Sequence, residues 1–282
     1  MKTTVHSMIE LGRRTNQEDS IWPEPGNGNH SGDLFILCDG MGGHESGEVA
    51  SRTVCSVLSD YVRSHFGPED DFSEDDFRKA LDAAYDALDA RDNGAVKKMG
   101  TTLTFVKFHA GGCFIAHIGD SRVYYIRPSE KRILYVTRDH SLVNDLVKMG
   151  EMTPEEARTS SQKNVITRAM QPMQERRASA DCYNLEDVRP GDYVYMCSDG
   201  MLEVSEDREI VNVISMDVSD AEKIEIFRNV TNENRDNHSA HLIRVLDPVG
   251  KSSKILDTTM YALLAVDAVL LVIDIILATI VF

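Results

Sequence analysis

Two apolar runs far apart in the chain end in the same way. The run inside FILCDGMGGHESG, residues 35–47, stops at Asp39-Gly40, and the run inside VYMCSDGMLEV, residues 194–204, stops at Asp199-Gly200. Short apolar runs of this kind read as buried strands. An aspartate at the end of such a strand sits at the rim of a core, and the glycine behind it lets the backbone approach a neighbour closely. Each Asp-Gly taken singly reads equally well as a turn. The acids recur, however. Glu18-Asp19 follows the first strand candidate, Asp120 follows the run 113–118, and Asp236 precedes the last strand. A fold that gathers these ends gathers like charges. Two of them about 4 Å apart repel by about 4 kcal/mol at an effective dielectric of about 20. A cluster of that kind calls for cations, and oxygen donors favour hard divalent ions, Mg²⁺ or Mn²⁺.

The rest of the pattern supplies a frame for these acids. Strands are expected over 3–9, 34–38, 101–108, 113–118, 122–126, 133–137, 193–197 and 241–245. Helices are expected over 48–65, from Ser73 onward, and over 141–150, 153–158 and 220–232. In the second helix Phe77, Leu81, Tyr85 and Leu88 recur at helical spacing, so one face packs on a sheet. Ser73-Glu-Asp-Asp76 resembles a capping box with Asp in place of Glu. Strands grouped in meanders with helices in pairs favour an α+β fold with antiparallel sheets over a doubly wound parallel one. Residues 1–247 are expected to form one globular unit and 248–259 a linker into an apolar tail.

The net charge of −16 argues against a nucleic-acid partner, which needs clustered Lys and Arg. The five cysteines, 38, 55, 113, 182 and 197, show no paired spacing and read as reduced core residues. The sequence has no GxxxxGK[ST] loop, no His-Arg-Asp catalytic loop and no CxxxxxR loop, so phosphate would be handled in another way.

In chain order the motifs are Arg14-Thr-Asn-Gln-Glu-Asp19, Asp39-Gly-Met-Gly-Gly-His44, Gly100-Thr-Thr102, Gly119-Asp-Ser-Arg122, Asp139-His-Ser141, Asn164-Val-Ile-Thr-Arg168, Ser198-Asp-Gly200 and Arg235-Asp-Asn237. This ordered set resembles the metal-dependent serine/threonine phosphatases of the protein phosphatase 2C type, in their compact bacterial form, over roughly residues 3–246. The resemblance implies a four-layer αββα sandwich of two antiparallel sheets flanked by helices, with metals at one end. It implies hydrolysis of phosphoserine and phosphothreonine, using two tightly bound Mn²⁺ or Mg²⁺ ions and a third, weaker one. By the same resemblance Asp39 bridges two metals and Gly40 offers its carbonyl. Asp199 and Asp236 bind the second metal, Glu18 and Asp19 act largely through water, and Asp120 with Asp199 holds the third ion. Arg14 takes the substrate phosphate, for which a planar guanidinium is suited. Some family members carry a histidine two residues after the bridging aspartate as a proposed general acid. Met41 stands there in this chain. His44 is the candidate substitute; the alternative is that it caps or orients the following helix. Residues 142–166 match a mobile flap of bacterial relatives, with an ordinary surface hairpin as the alternative. Gly100-Thr-Thr102 and Asp139-His-Ser141 are taken as structural, with Asp139 tethering a turn. The partners implied are phosphoprotein substrates of a Ser/Thr kinase. A non-catalytic phosphoprotein-binding scaffold is the alternative function.

Residues 260–282 are apolar apart from Asp267 and Asp274. As a helix they would reach roughly 34 Å, enough for a hydrocarbon core of about 30 Å. Fourteen Leu, Ile, Val and Phe residues contribute roughly −6 kcal/mol to insertion, and each aspartate costs about 2.5–3.5 kcal/mol. The expectation is a single-pass transmembrane helix whose two acids, seven residues apart, share one face and meet a partner helix or a second copy. Lys251 and Lys254 before the span place the N-terminal domain in the cytoplasm.

Overall fold

Alternation along the strands explains how the layers are built. The computed structural model describes residues 2–26, 32–42, 46–92, 94, 96–163 and 165–247. In β3 (Leu34–Met41), Leu34, Ile36 and Cys38 face a core shared with two helices, while Phe35 and Leu37 face a second sheet. In β10 (Tyr193–Cys197), Val194 and Met196 join that inter-sheet core, and Tyr193, Tyr195 and Cys197 face helices on the far side. Neighbouring residues on a strand point to opposite faces, so strands buried on both sides are continuously apolar.

One sheet runs β1 (Lys2–Glu10), β11 (His238–Asp247), β10, β7 (Arg122–Arg127), β8 (Arg132–Val136). The other runs β2 (Asp19–Trp22), β3, β5 (Leu103–His109), β6 (Gly112–Ile118), β9 (Asp181–Leu185), with β4 (Gly100–Thr101) paired to β3. Every named pairing is antiparallel. Helices α1 (Ser46–His65) and α2 (Glu74–Asp89) cover the second sheet. Helices α6 (Asp207–Ile214) and α7 (Asp220–Thr231) cover the first. The order of layers is therefore αββα, as expected from the sequence. The Ser73 side chain accepts from the Asp76 N–H, and Asp76 reaches back to the Ser73 N–H, which completes the capping box. Helices α3 (Leu142–Met149) and α4 (Pro154–Thr159) form the hairpin expected near residue 150, with Gly150 in the left-handed region at the end of α3.

Several boundaries differ from the sequence expectation. β3 continues through Asp39 to Met41, because β2 and β4 pair with its end. The expected strand over 101–108 is two strands parted at Thr102, whose N–H and hydroxyl turn to Asp39. β2, β9, α6 and the short α5 (Asp199–Leu202) were not expected. β2 has only four residues, and β9 is a largely exposed edge strand without apolar alternation. The linker and the apolar tail, 248–282, lie outside the described residues, as does His44. Among the described residues no helix is long and apolar enough to cross a membrane.

Candidate metal centre

The inter-sheet core ends in carboxylates. Asp39 lies two residues beyond Leu37 and shares its face. On β2, Asp19 lies two residues before Ile21, another inter-sheet residue. Asp19 and Asp39 are directly opposed in the β2–β3 ladder. From the other sheet, Ser198 follows Met196 on the same face. Its hydroxyl donates to Asp19 Oδ2 at 3.0 Å and accepts the Ser239 N–H at 3.0 Å. That hydroxyl thus ties the two sheets at the end where Asp199 begins α5.

The backbone around Asp39 is held from several directions. The Asp39 N–H donates to Thr102 Oγ1 at 2.9 Å, and its carbonyl accepts the Thr102 N–H at 2.8 Å. Thr102 Oγ1 in turn meets Ser121 Oγ at 2.8 Å, which joins the Asp39 strand to the Asp120 loop. The Gly40 N–H donates to the Glu18 carbonyl at 3.0 Å. A Cβ on Gly40 would stand 2.3 Å from the Gly47 carbonyl oxygen and 2.5 Å from that of Glu18. Only glycine lets the first turn of α1 sit this close. Asn237 Oδ1 accepts the Glu18 N–H at 2.9 Å, and Asn234 Nδ2 donates to the Gly200 carbonyl at 2.6 Å.

The electrostatics are those of crowded, buried acids. Burial, then the charges of Asp19, Asp199 and Asp120, pushes the Asp39 carboxyl well above its ordinary range. Burial raises Asp19 to about 7 against the hydrogen bond from Ser198, with Asp199 and Asp236 adding repulsion. Asp120 rises to about 7 through burial and then Asp199 and Asp139. Asp199 and Glu18 are raised first by burial too. Asp19 Oδ1 and Asp120 Oδ1 are buried and have no hydrogen-bond partner. Buried charges of one sign need a compensating charge, and unpartnered carboxylate oxygens offer it a seat. The residues present fit hard divalent cations. No three of these carboxylates offer oxygens within 4.8 Å of one another. The acids therefore do not close on one point as a single tight shell would.

Arg14 is placed differently from the sequence reading. Its Nη2 donates to Asp236 Oδ2 at 2.6 Å, so the expected phosphate ligand rests on an expected metal ligand. That pairing raises the Arg14 pKa further. The side chain of Arg14 stays about half exposed, at 53%, and is open to a ligand from solvent. Asp139 tethers its turn as expected: Arg122 grips both its oxygens at 2.7 Å. Ser198, Thr102, Asn234 and Asn237 were missed as functional supports. Ser198, Thr102 and Asn237 stand inside the quoted motifs, and Asn234 lies two residues before Asp236.

Beside Met41 opens a cavity of about 500 Å³ lined by residues 166–169, Gln171, Gln174 and 176–179. The hairpin of α3 and α4 is tied to its wall by the Ser141–Ile166 bridge and by Thr167 Oγ1 donating to Asp145 at 3.0 Å. It is a packed hairpin with Val143 and Ala157 buried.

A family model described as protein phosphatase 2C matches residues 15–247. Protein phosphatase PhpP of Streptococcus pneumoniae is 33% identical over 222 residues, 78% of this chain and 87% of the relative. The crystal structure of the Mycobacterium tuberculosis serine/threonine phosphatase PstP/Ppp superposes with a TM-score of 0.72 at 29% identity, over 88% of this chain and all of that one. The catalytic domain of PstP in complex with two manganese ions gives a TM-score of 0.71 at 29% identity, over 87% of this chain and 99% of that one.

Proposed function

The chain belongs to the protein phosphatase 2C family, and from that premise we propose that it hydrolyses phosphoserine and phosphothreonine in proteins at a centre of two Mn²⁺ or Mg²⁺ ions, with a third held more weakly. It is a serine/threonine protein phosphatase, as relatives at 30–34% identity are named. The observation that carries the metal reading is the gathering of acids at one end of the inter-sheet core, where Asp19 Oδ1 and Asp120 Oδ1 are buried and unpartnered.

Asp39, the Gly40 carbonyl, Asp199 and Asp236 would hold the two ions, with Glu18 and Asp19 acting through water and Asp120 with Asp199 holding the third. Bound there, divalent ions acidify water for in-line attack and stabilise charge on the phosphoryl oxygens. The chain's own residues do the rest. Ser198 and Thr102 fix Asp19 and Asp39, so the donors are set before substrate arrives. Arg14 leaves Asp236 to take the substrate phosphate with two parallel N–H bonds. His44 is our candidate for protonating the leaving alkoxide, and it lies outside the described residues. The hairpin 142–166 acts as a flap over the cavity beside Met41, where the peptide flanking the phosphoresidue would lie. Substrates are phosphoproteins made by a Ser/Thr kinase.

We further propose that 260–282 anchors the domain at the cytoplasmic side of a membrane, with Asp267 and Asp274 facing a partner helix or a second copy. Composition and the flanking Lys251 and Lys254 support this.

The decisive assay measures phosphate release from a phosphothreonine peptide by the detergent-purified full chain. It is run with Mn²⁺, with Mg²⁺ and with EDTA, beside Asp39→Asn and Asp199→Asn. Turnover that needs metal and is lost in both variants is expected. Turnover that persists in EDTA would overturn the metal mechanism. Binding of the peptide without turnover under any metal would leave a scaffold in place of the enzyme.

A further inference from the structure

Away from these acids, ring nitrogens of His117 and His140 and a carboxylate oxygen of Asp181 lie within 4.8 Å of one another. Both histidines are buried, at 2% and 7% exposure. The trio looks like a ligand set, yet its geometry argues against a metal. The two rings are stacked, 4.5 Å between centroids with 11° between planes. An ion bound by two imidazoles must lie near the plane of both, and parallel stacked rings offer no such point. His140 Nδ1 also accepts the Gly119 N–H at 3.0 Å. A nitrogen that accepts carries no proton, so the ring proton sits on Nε2, which then has no lone pair for a metal. That Nε2–H lies 3.3 Å from Asp181 Oδ2, near enough for charge attraction though not aligned as a directed hydrogen bond.

What His140 holds, with Asp181 behind it, is a loop. Gly119 has φ +106°, and the next residue is Asp120. His140 grips both polar groups of Gly119: its ring accepts the N–H, and its own N–H donates to the carbonyl at 2.9 Å. Asp120 Oδ1 is buried and makes no hydrogen bond, so the turn before it carries much of its orientation. Behind His140, Asp181 Oδ1 is anchored by Arg168 Nη1 at 2.7 Å. The His140 carbonyl accepts the Thr167 N–H at 2.9 Å.

We propose that His140 is a positioning residue for the metal centre. Its bare Nδ1, kept bare by Asp181 on the other side of the ring, fixes the Gly119 turn that aims Asp120 at the weaker ion. The inference rests on the metal-dependent reading above. Partners that orient a metal ligand typically change metal affinity about 10–100-fold when removed.

The test compares two amides of like polarity. His140→Asn keeps an acceptor near the Nδ1 position, and His140→Gln moves it out to the Nε2 position. Mn²⁺ binding to the full chain is read from the loss of the free-ion electron paramagnetic resonance signal. Thermal melting in EDTA checks that both variants fold. His140→Asn is expected to keep the weak-site affinity within about threefold of the starting chain, and His140→Gln to weaken it about tenfold. Tight binding should be unchanged in both. Equal retention or equal loss in the two variants overturns the role of Nδ1. Absence of Mn²⁺ binding by the unaltered chain would overturn the metal reading instead.

Discussion

Asp19 and Asp39 face each other as directly opposed residues of the β2–β3 ladder, both on the face between the sheets. Like charges at opposed positions destabilise a sheet. The pair is therefore a cost that cations offset. Saturating Mn²⁺ should stabilise the full chain, by about 2.7 kcal/mol per site at a hundredfold excess over Kd. Asp39→Asn should be more stable than the unaltered chain in EDTA and gain far less from Mn²⁺. Melting curves with EDTA and with Mn²⁺ check both statements. An Asp39→Asn chain that gains as much as the unaltered one would break the link between this pair and the metal.

The raised acids also set how metal-free stability depends on pH. Asp120 is lifted from 3.8 to about 7, chiefly by burial and then by Asp199 and Asp139. Between those values the folded chain holds a proton that the unfolded chain has released. Its contribution is complete below pH 3.8 and is lost as pH rises through about 7. In EDTA, the stability of the unaltered chain relative to Asp120→Asn should fall as pH rises across that window. Mn²⁺ should flatten the fall, since the ion takes the proton's place. Denaturant titrations at stepped pH read the difference directly, and a difference that grows with pH contradicts the assignment.

Arg14 sits on Asp236 at 2.6 Å, so removing it acts on substrate and metal ligand together. A hydrogen bond to a charged group contributes about 1.5–3 kcal/mol, roughly 10- to 150-fold in kcat/KM. Arg14→Ala should lose that much toward a phosphopeptide, mostly through KM. Arg14→Lys should recover only part, because an ammonium cannot fork across two oxygens. Steady-state kinetics at saturating Mn²⁺ decide, and an unchanged KM in Arg14→Ala would remove the residue from the phosphate site.

Gly40 permits the tightest backbone approach at the centre. Its Cβ would lie 2.3 Å from the Gly47 carbonyl oxygen and 2.5 Å from that of Glu18. Both are main-chain atoms, so no side chain can swing aside. Gly40→Ala should cost about 1–3 kcal/mol as overpacking and push α1 away from β3. Urea unfolding in EDTA measures the cost without the metal term. A midpoint equal to that of the unaltered chain would show that the approach relaxes freely.

Most of the frame was legible because strands buried on both faces leave continuous apolar runs. The strand 193–197 fell where the sequence put it, and Ser73 and Asp76 announced α2. β2 and β9 were hidden for a physical reason. Four residues give too short a period to read, and an exposed edge strand needs no apolar alternation. At the site, the glycines behind Asp39 and Asp199 marked the acids that burial later explains. Ser198, Thr102, Asn234 and Asn237 were invisible in their roles, since a hydroxyl or amide shows its partner only once two distant segments have met. The resting place of Arg14 on Asp236 belongs to the same class. His140 stood in a motif taken as structural, and its ring nitrogen accepting the Gly119 N–H shows what it holds.

The proposed anchor makes a quantitative claim about two residues. The apolar side chains of 260–282 favour insertion by roughly 6 kcal/mol, and two central acids oppose it by about 2.5–3.5 kcal/mol each. The sums nearly cancel, so a lone tail should insert weakly and a paired one firmly. Flotation with vesicles of neutral lipid should carry the full chain upward incompletely, and more completely as surface density rises. Asp267→Leu with Asp274→Leu should float fully at any density, and a chain ended at residue 250 should not float. The short chain should keep the turnover of the full one on a soluble phosphopeptide, because among the described residues the site described above draws on none beyond Ser239. A full chain that stays at the bottom of the gradient at every density would refute the anchor. Density-independent flotation of the unaltered chain would refute the pairing of the two acids while leaving the anchor in place.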